Sequence, residues 1–400
     1  MRFLLFLFCM CAITVVSAQA VITGKITDES GAPVAGASVF LNTTSIGTYS
    51  AADGSFSLPL PQGRYELVVS SVSYQTHTQS VGSSQTAPIT IVLKIKAKEL
   101  EAVTVGAFDP DGWRNWGAFF IENFMGTSSV SRSCQLQNPQ VLRFRYDKKK
   151  GLLTAVATAP LVIESKALGY TLTYQLEEFM FDFNRRYIFF TGYPFFTPHK
   201  GSAAQQRRWE RRRADSYLGS LQHFMRSLYR NRLVEEGFEV RRMKKVKNEG
   251  GAQEGNFFQR PSTSVQHQQI NVENEKPVSQ HITLRRPGLV NVAEQTPVSG
   301  DSIAYALDSV TAALDFPDYL LVTYTKARAL PDYRHYHKDA GDAQTSELTL
   351  LHKKPLEVYA NGSFFAPDNL LTSGYWGWRE KVGNMLPYDY KLPKAKAVGR

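Results

Sequence analysis

Few residues of this 400-residue chain have types and spacings suited to chemistry. The densest group of metal-ligand types is Asp332, His335, His337, Asp339 and Asp342. On a strand, His335 and His337 would point to the same face and offer two ligands to a divalent metal. No third ligand follows at a convincing spacing, so we predict no metal, and a metal site at these two histidines remains the alternative.

Gly300-Asp301-Ser302, followed by Asp332 and His335, has the residue types of a lipase-like catalytic set. Such a set needs a much longer separation, with a parallel sheet between nucleophile and histidine, and no βαβ rhythm is present here. The chain has no H-E-x-x-H, G-x-S-x-G or P-loop motif. We therefore predict no catalytic residue and no cofactor; the alternative is an exported hydrolase whose unrecognised site includes His335 and His337.

Positive charge is concentrated in residues 185–247, which hold 16 lysines and arginines against 5 acidic residues. The whole chain has 46 basic and 36 acidic residues, so this segment carries the entire positive balance. Its centre is a run of arginines: Arg207, Arg208, Arg211, Arg212 and Arg213. Guanidinium groups bind phosphates and carboxylates, so we predict an anion-binding patch for an anionic partner such as lipopolysaccharide phosphates or an acidic glycan. The alternative is a solvated helix face.

These arginines lie in residues 203–236, which lack proline and repeat apolar residues at nearly 3.6-residue spacing. The pattern predicts one long basic helix, with Gly219 as its weak point and Gly237 as its stop.

The N-terminus reads as a signal peptide over residues 1–20. Arg2 precedes an apolar stretch, and Ala18-Gln19-Ala20 is a small-residue cleavage pattern. Export to the periplasm, outer membrane or cell surface follows, so nucleic acid is not an expected partner despite a pI of about 9.3. No later apolar run approaches the roughly 20 residues of a membrane helix, which excludes a polytopic membrane protein.

Residues 21–95 alternate short β-rich runs with turn residues. The predicted strands are Val21–Ile26, Ala37–Leu41, Ser55–Leu60, Tyr65–Val72 and Ile89–Ile95. Asp53-Gly54 supplies a turn with positive φ, and Phe56 is expected to point inward. This rhythm predicts a small antiparallel β-sandwich.

The glycine spacing of this segment resembles the carboxypeptidase-like regulatory domain. The matching residues are Val21 to Ile26, Asp28, Gly31, Pro33, Val34, Gly36 to Val39, Gly47-Thr48, Asp53 to Phe56 and Val68 to Ser70. The resemblance implies a seven-stranded transthyretin-like sandwich. It also implies a module that accompanies peptidases and transporters without being catalytic itself.

A linker over 96–110 then leads to a β-rich α+β domain. We predict its first part at 111–247, a flexible polar insertion at 248–300 and its second part at 301–400. The first part should hold an aromatic helix near Trp113–Phe124 and a β-meander over 141–191, and the second a helix at Asp301–Leu314. Two further runs, Ser346–Leu351 and Leu356–Tyr359, are expected to pair as strands, and aromatic residues of the tail should dock onto the core.

Short signatures in this second domain resemble exported bacterial proteins of unknown function that carry the same sandwich. Examples are Ala167-Leu168-Gly169-Tyr170 and Tyr375-Trp376-Gly377-Trp378. We therefore predict a mainly β, non-catalytic cell-envelope protein that binds an envelope polymer or protein partner and associates peripherally with the outer membrane. An accessory subunit of a TonB-dependent outer-membrane transporter is a further alternative. The sequence does not indicate an oligomeric state.

Overall fold

The structure, a computed structural model, describes residues 20–82, 87–96, 107–247, 289–337 and 341–393. Two compact units divide the chain: Met1–Val39 with Thr48–Ile95, and Phe40–Gly47 with Lys96–Arg400. Strands dominate the architecture, as predicted. Residues 1–19 of the predicted signal peptide lie outside the described residues, so that prediction stays a prediction.

The described residues between 20 and 93, most of which belong to the first unit, form a β-sandwich of seven strands in two sheets. The strands are β1 (Ala20–Asp28), β2 (Ser38–Leu41), β3 (Gly47–Tyr49), β4 (Ser55–Leu60), β5 (Arg64–Ser70), β6 (His77–Gly82) and β7 (Ile89–Leu93). One sheet has the order β4-β1-β7 and the other β3-β2-β5-β6. In the first of these sheets β1 pairs with β4 in antiparallel orientation and with β7 in parallel orientation. The prediction of a wholly antiparallel sandwich was therefore wrong for β7. The predicted seven-stranded sandwich is confirmed.

Strand β4 illustrates why this sequence forms a sandwich. Phe56, Leu58 and Leu60 alternate with exposed or half-buried residues and are themselves buried, as the period of two requires. The turn before it depends on Gly54, whose φ is +81°. A Cβ at Gly54 would lie 2.3 Å from the carbonyl oxygen of Ile26, so only glycine fits there.

In the second unit, the first helix among the described residues is α1 (Gly112–Phe120), which continues as a π-helical turn over Ile121–Met125. Six strands follow: β8 (Cys134–Leu136), β9 (Leu142–Asp147), β10 (Leu152–Ala157), β11 (Leu161–Ser165), β12 (Tyr170–Asp182) and β13 (Tyr187–Pro198). They form one sheet of order β8-β11-β12-β10-β9, in which β13 also pairs with β12. Phe120 and Phe124 are fully buried in the core of this part with Phe144 and Phe179, so the predicted aromatic helix is confirmed.

The basic segment is not one long helix, and that prediction was wrong. It forms α2 (Ala203–Tyr217), α3 (Leu221–Tyr229) and α4 (Leu233–Glu236). The first break is at Gly219, whose φ of +74° is left-handed and cannot continue a helix. Ser220 then starts α3 by accepting a hydrogen bond from the His223 N–H. Gly237, with φ +94°, ends α4 as predicted.

The rest of the second unit builds two more sheets. Its elements are β14 (Phe238–Lys247), β15 (Leu289–Ala293), β16 (Ala304–Ala306), β17 (Thr311–Leu314), β18 (Tyr319–Arg328), α5 (Pro331–Tyr336), β19 (Ala343–Leu350), β20 (Leu356–Tyr359), β21 (Phe364–Phe365), β22 (Leu370–Gly374) and α6 (Tyr375–Arg379). One sheet has the order β15-β14-β18-β19-β22 and the other β16-β17-β20-β21.

Two predictions in this part were wrong. Asp301–Leu314 is a β16–β17 hairpin, because the Asp308 carboxylate accepts the Val310 N–H and stabilises a turn where a helix was expected. The runs Ser346–Leu351 and Leu356–Tyr359 do not pair with each other. The first belongs to β19, between β18 and β22, whereas β20 pairs with β17 and β21.

Part of the predicted polar insertion belongs to a sheet. Residues 248–288 of this predicted insertion lie outside the described residues. The remainder contains β15, which pairs with β14 from Met243↔Ala293 to Lys247↔Leu289.

The described residues of the second unit form two hydrophobic cores, and the C-terminal tail contributes to both. Tyr375, Trp376 and Trp378 are buried in the core around α3, β14 and β18. Leu386 and Tyr390 are buried in the aromatic core beside the six-stranded sheet of β8 to β13. The predicted docking of the tail aromatics is therefore confirmed.

Candidate functional site

One end of the six-stranded sheet gathers residues that are distant in sequence. Strand register places Ser165 at the end of β11 opposite Tyr170 at the start of β12. Tyr170 in turn lies opposite Pro198 at the end of β13. The turn 166–169 and the segment after β13 are therefore neighbours, and the His199 N–H donates to the Gly169 carbonyl at 2.9 Å.

Helix α2 begins directly after this sheet end because of a capping box. The Ser202 hydroxyl accepts the Gln205 N–H, and the Gln205 side chain accepts the Ser202 N–H at 2.8 Å. The helix therefore runs past the two loops. Trp209 fixes it there, since its indole Nε1 donates to the Lys166 carbonyl at 3.0 Å.

Two glycines allow the indole of Trp209 to come this close. A Cβ at Gly169 would lie 2.3 Å from Trp209 Cδ2, and one at Gly201 would lie 2.7 Å from Trp209 Cη2. Gly169 also has a φ of +66°, which favours glycine in its own right. The sheet end and the helix are thus held together by packing as well as by the hydrogen bond.

A groove of about 510 Å³ opens between the sheet end and α2. Its lining residues are Glu164, Lys166, Ala167, His199, Lys200, Gln205, Arg208, Trp209 and Arg212. Four of them are cations and one is a carboxylate, so the groove carries a net positive charge. This arrangement suits an anionic ligand, because lysine and arginine side chains form charge-assisted hydrogen bonds with phosphate, sulfate and carboxylate groups.

The four cations of the groove are Lys166, Lys200, Arg208 and Arg212. Within the described ranges, none of them forms an ion pair with an acidic side chain. Arg208 and Arg212 are four residues apart on one helix, where like charges destabilise the helix by a few tenths of a kcal/mol, about 0.2–0.5. These four cations are therefore available to an anionic ligand, because acidic side chains of the described residues do not already neutralise them.

Arg213 does not belong to the exposed patch, and its inclusion there is corrected. Its Nε donates to the Leu168 carbonyl at 2.7 Å and its Nη2 to the Gly169 carbonyl at 3.0 Å. The guanidinium also lies 3.9 Å from the ring centroid of Tyr170. Its donors are therefore used to hold α2 against the turn that contains Lys166 and Gly169.

The other four predicted arginines are all exposed on α2. Arg208 and Arg212 line the groove, whereas Arg207 and Arg211 are not among its lining residues. Sequence reasoning missed Lys166 and Lys200, which are isolated in sequence. Lys166 lies inside the predicted meander over 141–191 and Lys200 lies after it, so no local pattern brought the two lysines together.

His335 and His337 do not share a strand face, and that interpretation was wrong. His335 is exposed on α5, and His337 follows the end of this helix, where its ring stacks on Tyr333 at a centroid distance of 4.3 Å. Asp342 pairs with Arg334 at 3.0 Å, whereas Asp339 lies outside the described residues. Among the described residues no group of three or more histidine, cysteine or acidic side chains is placed to hold a metal ion.

Asp332 is also used in the fold. It pairs with Arg132 at 3.0 Å and accepts the Ser129 N–H at 2.7 Å.

In the parts of the chain that the structure covers, no helix combines the length and apolar character needed to cross a bilayer.

The first unit is similar in sequence to a known domain family. The sequence profile of the CarboxypepD_reg-like domain matches residues 22–105. The first unit is a CarboxypepD_reg-like domain. The resemblance drawn from its glycine spacing is therefore confirmed, while the profile does not extend to the groove in the second unit.

One curated relative is similar to part of this chain. The chain is 30% identical over 103 residues to the TonB-dependent receptor P39 of Formosa agariphila. The alignment covers 26% of this chain and 10% of the receptor. The chain thus spans about a tenth of that receptor's length.

Solved structures give weaker likenesses. A DUF3823 family protein from Bacteroides ovatus is 13% identical, and the alignment covers 46% of this chain and 83% of that one with a TM-score of 0.16. A protein of unknown function from Bacteroides fragilis is 12% identical, with 85% and 93% covered and a TM-score of 0.16. At such TM-scores neither likeness carries a functional conclusion.

Proposed function

We propose that this chain is a non-catalytic binding protein of the cell envelope that holds an anionic ligand in the groove between α2 and the sheet end. The observation that carries the proposal is the convergence of four cations from the turn after β11, the segment after β13 and helix α2. None of the four has an acidic partner among the residues that the structure describes. Trp209, Gly169 and Arg213 fix these segments relative to one another, so the groove is preformed. A preformed site loses less conformational entropy on binding than a solvated helix face would.

The envelope location has separate support. The first unit is a CarboxypepD_reg-like domain, the chain is similar over 103 residues to a TonB-dependent receptor, and the N-terminus is predicted to be a signal peptide. An anionic envelope polymer is the ligand class that this location and this charge favour together. A protein partner with an acidic surface is the other ligand that the sequence left open.

Charge reversal inside and outside the groove tests the proposal. We expect the double variant Arg208→Glu/Arg212→Glu to weaken binding of fluorescent dextran sulfate by at least about tenfold, since two attractive contacts become repulsive. The matched control is Arg207→Glu/Arg211→Glu, which has the same spacing, helix and charge change but lies outside the lining. This control should retain affinity within about threefold at physiological salt.

Equal losses in the two double variants would mean that the polyanion responds to overall charge, and the groove would then have no special role. No binding by the parent chain would reject anion binding altogether. Circular dichroism of all three proteins shows whether any loss comes from unfolding.

A second candidate is an accessory role beside an outer-membrane receptor, favoured by the similarity to the TonB-dependent receptor P39. This role predicts that the native chain co-purifies with a receptor from solubilised outer membranes. Recovery of the chain without any receptor after crosslinking in intact cells would count against it.

A further inference from the structure

The size of the groove limits what can fill it. Its volume of about 510 Å³ lies within the range of roughly 300–1,000 Å³ typical of small-molecule sites. A water molecule occupies about 30 Å³, so a single phosphate or sulfate would leave most of the space to solvent. A ligand of the size of one or two sugar rings matches the volume.

Neutral hydrogen-bonding groups stand beside the charges. The Gln205 Oε1 accepts the Ser202 N–H, which orients the carboxamide and leaves its NH₂ directed to other partners. One ring nitrogen of His199 is hydrogen bonded to the Thr171 hydroxyl at 2.8 Å, so the ring is also held in place. Groups of this type recognise hydroxyls, which a simple polyphosphate does not have.

The groove also has an apolar wall. Trp209 and Ala167 line it together with the polar residues, and the indole is fixed by its hydrogen bond and by the two glycines. Sugars present C–H groups on one side and hydroxyls on the other, so they use both kinds of surface. A ligand that carries only charge would need the cations alone. The amide donors and the apolar wall of the groove favour a ligand that also has hydroxyl and C–H groups.

We infer that the groove binds an acidic saccharide, that is, a sugar bearing phosphate, sulfate or carboxylate groups. The inference rests on the proposed anion binding and narrows it to one ligand class. Lys166, Lys200, Arg208 and Arg212 neutralise the anionic groups, while Gln205 and His199 bind hydroxyls. Such a saccharide is either part of a free polymer or the headgroup of a glycolipid, and the chemistry of the contact is the same.

Calorimetry with the full chain tests the inference against charge alone. The probes are a sulfated, a phosphorylated and a uronic-acid tetrasaccharide, with inorganic tripolyphosphate for comparison. We expect Gln205→Met to weaken binding of the preferred saccharide by about fivefold, the effect of one hydrogen bond, and to leave tripolyphosphate unchanged. Ser202→Ala is the matched control, because it removes the other half of the capping box and keeps the Gln205 amide.

The outcomes separate the two proposals. If tripolyphosphate binds as tightly as the best saccharide and Gln205→Met changes neither, the saccharide inference fails while anion binding stands. If no probe binds and Arg208→Glu/Arg212→Glu has no effect on any polyanion, both fail. Equal losses in Gln205→Met and Ser202→Ala would assign the effect to the helix cap and also overturn the inference.

Vesicles that carry a phosphorylated glycolipid distinguish the two sources. Free saccharide that displaces the chain from these vesicles supports one site for both forms, and an Arg208→Glu/Arg212→Glu variant should then fail to bind the vesicles. Vesicle binding that free saccharide cannot displace would overturn the inference, because the membrane would then be recognised by another feature.

Discussion

At the scale of single residues, Gly169 is the position on which the groove depends most directly. Alanine there would place a Cβ 2.3 Å from Trp209 Cδ2 on a backbone with φ +66°. We predict that Gly169→Ala destabilises the fold by about 2–4 kcal/mol, from backbone strain plus displacement of the indole, and weakens dextran sulfate binding. Urea unfolding and a binding titration measure the two effects.

Gly31→Ala is the control for strain without a clash. Gly31 has a φ of +82°, yet nothing lies within 4 Å of a Cβ built there. Its cost should be about 1–2 kcal/mol, with no change in ligand binding. A Gly169→Ala protein as stable as Gly31→Ala, with full binding, would show that Trp209 does not hold the groove.

His223 gives the fold a dependence on pH. It is 3% exposed; its Nδ1 accepts the Gly219 N–H at 3.1 Å, and its Nε2 lies 3.4 Å from a Glu236 oxygen. Burial is the main cause that lowers the pKa of His223 to about 4. The hydrogen bond and charge of Glu236 raise this pKa, whereas the positive charges of Lys326 and Arg226 lower it by smaller amounts. The neutral ring is therefore the form that the fold accommodates.

Because the unfolded chain takes up a proton near pH 6.5 and the folded chain does not, this histidine favours unfolding as the pH falls. We predict that the contribution of His223 to the free energy of unfolding is complete above about pH 6.5. About 3 kcal/mol of this free energy should be lost by pH 4. His223→Asn keeps an acceptor for Gly219 and removes the titration, so its stability should vary less over this range. Parallel urea curves of the two proteins from pH 7 to 4 would contradict the prediction.

At the scale of elements, the junction between α2 and α3 is closed by α6. Arg379 donates to the carbonyls of Asp215, Ser216 and Leu218, and the Trp376 indole donates to the carbonyl of Gly219 at 2.8 Å. These carbonyls lie at the end of α2, where no intrahelical donor is left and the helix dipole favours a cation. Two side chains of the short helix α6 thus supply hydrogen-bond donors to the carbonyl groups at the end of α2.

We predict that Arg379→Lys destabilises the second unit by about 2–4 kcal/mol, since a single ammonium cannot reproduce the guanidinium fork in a site that is 3% exposed. Urea unfolding measures the loss. The matched control is Arg185→Lys on an exposed turn, where a change within about 0.5 kcal/mol is expected. If both variants unfold at the same urea concentration, the closure of this junction contributes nothing.

Local patterns predicted the elements whose signals are local. The alternation around Phe56 and the Asp53-Gly54 turn gave the sandwich, and the aromatic spacing near Phe120 gave α1. Gly219 shows the limit: its neighbours have helical periodicity, but the break depends on Tyr324 and Gln344, which lie 2.7 and 2.5 Å from a Cβ built there. Strand β20 similarly pairs by long-range register that no local pattern contains.

The candidate site was predicted in part for the same reason. Arg208 and Arg212 lie in a conspicuous run, and composition alone identified them. Lys166 and Lys200 become their neighbours only through the register of β11, β12 and β13. Arg213 looks like the other arginines in sequence, and only its two carbonyl partners distinguish it.

At the scale of the whole molecule, the formal charge of +10 and its concentration in one segment govern how an anion approaches. Charges outside the groove act through a field with a range of about 8 Å at physiological salt. We predict that Arg207→Glu/Arg211→Glu slows association with dextran sulfate several-fold at about 20 mM salt and has no effect at about 500 mM, because steering is screened. Stopped-flow fluorescence measures these rates.

The groove variant should behave differently. Arg208→Glu/Arg212→Glu removes direct contacts, so its affinity should remain below that of the parent chain at both salt concentrations. Identical salt dependence of the two variants would contradict this distinction between steering and contact.

The sharing of residues 375–390 between two cores bears on how the chain is made. Trp376 completes one core and Leu386 the other, so neither can close while the ribosome is still adding the strands before them. We therefore expect a nascent second unit to remain loosely structured until translation has passed residue 390. If the N-terminus directs export as its sequence predicts, such a delay would keep the polypeptide suitable for threading through a secretion channel.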